Sequence, residues 1–188
     1  MITNFFRNGF RRLKVQSLTF AQDVIVNGGG GSIEWIKTSI PAGGKAYAEF
    51  VVPSGLYVAV DHREAITDKN RMFYRVYKVY SPVTPTSVTV TTHQLRSDAP
   101  ALPVIVTECT APNPAPNPLT AYVTSPVFGT EGAGNRLSGD LVSEDVFRLL
   151  HPESRYLLEL SNDSAEACYA QLNFIIGLLP QSEVRPIN

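Results

Sequence analysis

Four groups of residues have the types that chemistry requires. The first is the glycine run Asn27-Gly28-Gly29-Gly30-Gly31-Ser32. A phosphate cradle needs a strand before it, a helix behind it and usually a Lys-Ser/Thr pair closing it. Here Ser32 leads into IEWIKTSI, a strand-like segment, so the run reads as a flexible loop. The second group is the three histidines, His62, His93 and His151. His62 stands near Asp61 and Glu64 in DHRE, which holds acid–base and metal-ligating groups. Adjacent residues of a strand point to opposite faces, however, and no second His or Cys has the spacing of a ligand pair. His93 falls in the turn-like THQLRSD and His151 precedes Pro152, so both read as surface or partner-contact residues. The third group is the carboxylates. Glu144 and Asp145 are adjacent rather than facing, and Glu49 and Glu159 read as solvent-side members of strands. A glycosidase pair would draw on distant strands, and no spacing singles one out. The fourth group is the serines and cysteines. No Ser lies in G-x-S-x-G, and no Ser or Cys has a recognisable base motif. These residues point to no catalytic, cofactor-binding or metal site, so the chain reads as non-enzymatic and free of cofactors.

The elements that would position such groups are short. The chain holds 14 Pro and 13 Gly, spread too evenly for long helices. Runs of five to nine residues end on turn residues: Ile33–Ile40 at Pro41 and Gly43, Ala46–Val52 at Pro53-Ser54-Gly55, Leu56–Val60 at the charged DHRE, and Met72–Tyr80 at Ser81-Pro82. Ser87–Thr92, Val104–Thr107 and Leu119–Val123 continue the texture, the last after the proline-dense Ala111–Pro118, a spacer or exposed loop. In Tyr156–Leu160 the residues Tyr156, Leu158 and Leu160 share a face, and Cys168, Ala170, Leu172, Phe174 and Ile176 share another. Period two with one wet face is the mark of an antiparallel sheet over a core. Ser143–Leu150 (SEDVFRLL) is the one helix candidate; Pro152 limits it, and it reads equally as a strand. The pattern predicts an all-β, antiparallel β-sandwich, jelly-roll-like and built from hairpins, one of them turning at Asn162-Asp163-Ser164, with a short N-terminal arm and a proline-rich loop. Its expected organisation is an arm over 1–14, a single sandwich domain over 15–180 and a C-terminal tail over 181–188.

Composition narrows the partners. Of 188 residues, 44% are hydrophobic and 18% charged, so the chain can bury a core and leaves uncharged surface for neighbours. A net charge of -1 removes the electrostatic footprint of a nucleic-acid binder. No stretch approaches the roughly 18 apolar residues that span a bilayer, and Arg7, Asn8 and Arg11 interrupt any signal-peptide core. Folding in a cytoplasm follows as the default, where Cys109 and Cys168 read as buried small apolar residues. Tyr74, Tyr77 and Tyr80 are the candidates for a carbohydrate-binding face.

The order IPAGGKAYAEFVVPSG, MFYRVYKVYSPV, GAGNRL and LHPESRYLLELSN resembles a group of tailed-bacteriophage virion structural proteins. The matching pieces are Ile40–Gly43, Tyr77–Val83, Gly132–Leu137 and Leu150–Asn162; the APNPAPNP insert departs from the pattern. The resemblance implies a capsid decoration or cement protein located in the virion and assembled in the host cytoplasm. It would bind the major capsid protein or other virion proteins, as a homo-oligomer, dimer or trimer, without nucleic acid or membrane. The alternative is a tail or head-fibre component that binds host surface glycans or other virion proteins. The residues expected to dock are those of the aromatic-basic arm: Phe5, Phe6, Arg7, Phe10, Arg11 and Arg12. Their types are those of interface hot spots, and a segment that orders on binding covers much surface.

Overall fold

The computed structural model describes residues 29–69, 71–78, 83–95, 98, 101–127, 139–140 and 148–183, with backbone alone at 61–63, 125–126, 139–140, 148 and 183. The docking residues Phe5 to Arg12, the GAGNRL segment, Glu144 and Asp145, and Tyr80 lie outside the described residues.

Among the described residues twelve strands follow one another: β1 (Gly30–Ile40), β2 (Lys45–Val51), β3 (Leu56–Thr67), β4 (Met72–Tyr77), β5 (Pro85–Thr89), β6 (Thr91–Gln94), β7 (Ile105–Cys109), β8 (Val123–Val127), β9 (Gly139–Asp140), β10 (Arg148–Leu150), β11 (Arg155–Asn162) and β12 (Cys168–Pro180). They form two six-stranded antiparallel sheets. The front sheet has the order β10-β3-β12-β1-β6, with β9 also beside β3; the back sheet has the order β5-β7-β2-β11-β4-β8. The four-strand blocks β10-β3-β12-β1 and β8-β4-β11-β2 interleave as the two sheets of a jelly roll. The strands β5, β6 and β7 are an excursion between β4 and β8 that extends both sheets on one side.

The alternation read in the sequence sets the core. In β12 every second residue from Cys168 to Ile176 is buried, and from the back sheet Ala48, Phe50, Tyr74, Val76, Leu158 and Leu160 face them. Trp35 and Ile33 of β1 join this layer. Each fully buried large apolar side chain contributes about 1.5–3 kcal/mol, so this single layer carries most of the driving force.

Several expectations are corrected. Hairpins were expected, but among the described strands no ladder joins two strands consecutive in the chain. The turn at Pro41-Ala42-Gly43 carries the chain from front to back sheet, with Gly43 at φ +66°. The turn after Asn162, expected to close a hairpin, instead carries β11 across to β12 in the other sheet. Ser87–Thr92 is two strands in different sheets, divided at the buried Val90. The charged DHRE does not end its strand, since β3 runs on to Thr67 against β12. At Leu119 a 3-10 turn, Pro118–Thr120, replaces the expected strand: the Asn117 side chain accepts from Leu119 N at 3.0 Å and proline occupies the first position. Of SEDVFRLL, the described part, Arg148–Leu150, is strand.

The glycine run is corrected too. Gly30 and Gly31 are buried residues of β1, not loop. A Cβ on Gly31 would lie 2.1 Å from Leu102 Cδ1 and 2.9 Å from the His93 carbonyl oxygen, so only glycine lets the excursion close over β1.

Candidate functional site

The two outer faces of the sandwich hold nearly all the polar groups that could act. On the back sheet, Lys45, Tyr47 and Glu49 of β2, Leu157 and Glu159 of β11, and Arg75 and Tyr77 of β4 point away from the core, by alternation from Ala48, Leu158 and Val76. Solvent does not reach the centre of this face. Tyr47, Tyr77, Cys109 and Leu157 form a second apolar cluster, and Val83 and Ala121, from the two ends of the β5–β7 excursion, pack against it. The excursion is anchored there by Tyr122 N donating to the Val76 carbonyl at 2.7 Å.

Glu159, 0% exposed, lies within this second layer. Arg75 Nη1 donates to its Oε1 at 2.7 Å, and Lys45 Nζ and Tyr77 Oη reach its Oε2 at 3.4 Å. Arg75 also lies over the Phe73 ring, 4.8 Å from its centre. Burial, reinforced by the Glu159 charge, pushes the Tyr77 phenol up to about 12 and the Tyr47 phenol higher still. Burial likewise pushes the Cys109 thiol up to about 11, with Glu49 and Glu108 adding to it. Phenols and a thiol held neutral around a carboxylate already bonded to two cations make a brace. The reading of Glu49 and Glu159 as solvent-side residues is therefore overturned: both are buried, and Glu49 pairs with Arg155 at 3.3 Å. Alternation gave the correct face but could not show that a later segment covers it. The carbohydrate-face reading of Tyr74 and Tyr77 falls with it, because they are 1% and 0% exposed.

A further brace crosses the sandwich. Glu108 of β7 accepts from Trp35 Nε1 at 2.9 Å and from Lys37 Nζ at 3.0 Å, tying the excursion to β1. Lys37, Lys45, Glu108, Tyr47 and Cys109 line a crevice of about 220 Å³ at this end. Both lysines are already paired with carboxylates across it.

The front sheet's outer face is arranged differently. Across β1, β12 and β3 the register sets Glu34, Asn173 and Glu64 in one row and Ile36, Gln171 and Ile66 in the next. Tyr169 Oη donates to Gln171 Oε1 at 2.6 Å. Gln171 Nε2 donates to Glu34 Oε1 at 2.8 Å and to Asn173 Oδ1 at 3.1 Å, and Asn173 Nδ2 donates to Glu64 Oε2 at 3.2 Å. The ladder is half-buried, and no described element lies over it. Sequence reading missed it because its members come from three strands distant in the chain; the signal available was the Gln171/Asn173 alternation in β12.

The histidines do not converge. His62 sits opposite Ile175 in β3, two residues from Glu64. His93, expected in a turn, is in β6 opposite Ser32, its Nε2 4.0 Å from Glu34 Oε2. His151 packs on Tyr57, ring centres 5.4 Å apart. Cys109 and Cys168 are both free and buried, as expected; Cys168 Sγ lies 3.2 Å from Met72 Sδ. Among the described residues no three His, Cys, Asp or Glu side chains gather as a metal site. No protein-family model, curated protein or solved structure matches this chain.

Proposed function

We propose that this chain is a non-enzymatic structural protein of a tailed-bacteriophage virion, a decoration or cement protein that binds across capsid subunits through its aromatic-basic arm. The observation that carries the reading is where the phage-like segments meet. Asn162, which closes the last of them, donates from Nδ2 to the carbonyls of Ile40 at 2.9 Å and Pro41 at 3.0 Å in the first. Tyr77, which opens the second, pairs with Leu157 of the last. Asn162 thus ties the last segment to the first, Tyr77 ties the second to the last within the back sheet, and the polar residues of these three described segments are used to hold strands. Glu159, Glu108 and Glu49 serve the same end, each clamped to a cation. A back sheet whose carboxylates are consumed in bracing suits a protein whose work is adhesion.

Quantitative mass spectrometry of purified particles tests this. The chain is expected in the head at a copy number that scales with capsid subunits, and deletion of residues 1–12 should leave a folded protein that no longer binds heads. Absence from particles would overturn the virion assignment. Full head occupancy by the truncated protein would overturn the arm.

A further inference from the structure

The front sheet's outer face carries acid that no described Lys or Arg meets, with His93 Nε2 standing 4.0 Å from Glu34 Oε2. Among the described side chains, Glu34 and Glu64 are held by the neutral amides Gln171 and Asn173, and neither is paired with Lys or Arg. On the back sheet every brace carboxylate has a cation. The same face is apolar in patches: Ile36 is 43% exposed, and Ile66 and Ile175 are half-buried beside the carboxylate row. Acid interleaved with isoleucine is a surface for a partner that interleaves base with apolar groups.

The chain contains one such partner. Residues 5–12 read Phe-Phe-Arg-Asn-Gly-Phe-Arg-Arg. Residues 1–28 hold four Arg or Lys (Arg7, Arg11, Arg12, Lys14) and one Asp (Asp23), a charge of +3; the whole chain is -1, so residues 29–188 carry -4. The two parts therefore attract. Distances also agree. Glu34 and Glu64 lie two strands apart, about 10 Å at the usual strand spacing, and Arg7 and Arg11 in an extended segment stand about 13 Å apart on one side. The arm joins the sandwich at β1, the strand that carries Glu34. The 17 or so residues between Arg12 and Gly29 can reach at most about 60 Å, enough for the same copy or an adjacent one.

We propose that the segment Phe5–Arg12 docks on the outer face of the front sheet, with Arg7 and Arg11 on Glu34 and Glu64 and Phe5, on the same side of the extended segment, against the isoleucines of that face. This rests on the reading of that segment as the docking element and names the surface it occupies in the chain without particles, from which capsid subunits would take it. Arginine can meet a carboxylate through two parallel hydrogen bonds, which gives such a contact register as well as attraction.

The test places a photo-reactive phenylalanine analogue at Phe5 in the full-length chain, without particles, and maps adducts by mass spectrometry. Adducts are expected on β1, β12 and β3 around Glu34, Asn173 and Glu64. Their yield should fall roughly tenfold in the E34Q/E64Q variant and in about 0.5 M salt, where exposed ion pairs are screened. Thermal unfolding of E34Q/E64Q, expected to match the parent, separates lost docking from lost fold. In E34R/E64R the adducts should vanish, and adding R7E/R11E should restore them. Mixing isotope-labelled and unlabelled chains tells whether the segment docks on its own copy or a second one, and either result supports the proposal. Adducts elsewhere, no adducts, or an unchanged yield in E34Q/E64Q would overturn it, as would a soluble glycan that binds this face and leaves the arm adducts untouched. Failure here with normal head occupancy leaves the virion assignment standing; arm adducts from a chain absent from particles do the reverse.

Discussion

The two outer faces of this sandwich begin from similar sequence patterns and end as opposites. Both β11 and β12 alternate apolar and polar residues, and in both the polar set points away from the core. On the back sheet that set becomes a second interior, because the ends of the β5–β7 excursion cover Tyr47, Tyr77 and Leu157 and force Glu159 to take Arg75 and Lys45 as partners. On the front sheet no described element adds that layer, and Glu34 and Glu64 are held by amides, with His93 4.0 Å from Glu34. The lesson is that the same period-two stripe yields a brace where a layer covers it and an interaction surface where none does.

That contrast can be broken most forcefully at Glu159. Replacing it with Ala leaves the Arg75 charge buried without its carboxylate and should cost about 3–5 kcal/mol, read as a drop in the denaturant midpoint at unchanged slope. The double variant E159L/R75M removes both charges and should regain most of that loss; if it is no better than E159A, the pair is not the reason for the cost. Next in size is G31A in the front sheet. Its new Cβ meets Leu102 and the His93 carbonyl, so about 1–3 kcal/mol should be lost by overpacking.

Alkali separates the faces more finely. The Tyr77 phenol stands at about 12 in the fold against an ordinary 10. Between these values the unfolded chain has already lost the proton that the native state keeps. The stability contributed by this raised group is therefore fully present below pH 10 and drains away as pH rises through 12. A Y77F variant should show a shallower alkaline decline, by up to about 2 kcal/mol, whereas front-face variants should follow the parent. Smallest of all, E34Q and E64Q should each change stability by no more than about 0.5 kcal/mol, since half-exposed carboxylates held by amides, with no described Lys or Arg on them, have little to lose. A larger drop would make the front ladder a brace as well and erase the distinction.

Much of the sandwich was legible before any coordinates. Leu158 and Leu160 face the core and Glu159 does not, as period two demands, and Pro41-Ala42-Gly43 turns the chain where turn residues predict. What stayed hidden depends on non-local partners. Nothing near Glu159 announces that residues 83 and 121 will help close over its face. Nothing in the four-glycine run says that Gly31 lies under Leu102, 71 residues later. The front ladder was equally out of reach, because Glu34, Glu64 and Asn173 become neighbours only through the β1-β12-β3 order.

That order also bears on how the molecule is made. The strand β12 is the last of the twelve, yet it lies between β1 and β3, and β11 likewise lies between β2 and β4. Until the ribosome has released the segment near residue 180, neither early pair has the neighbour that joins it. The nascent chain must wait with its apolar stripes unpaired, a state that invites chaperones and penalises slow translation of the final stretch. Loss of a few residues from β12 would accordingly be felt as failure to mature at all, long before any surface was missed.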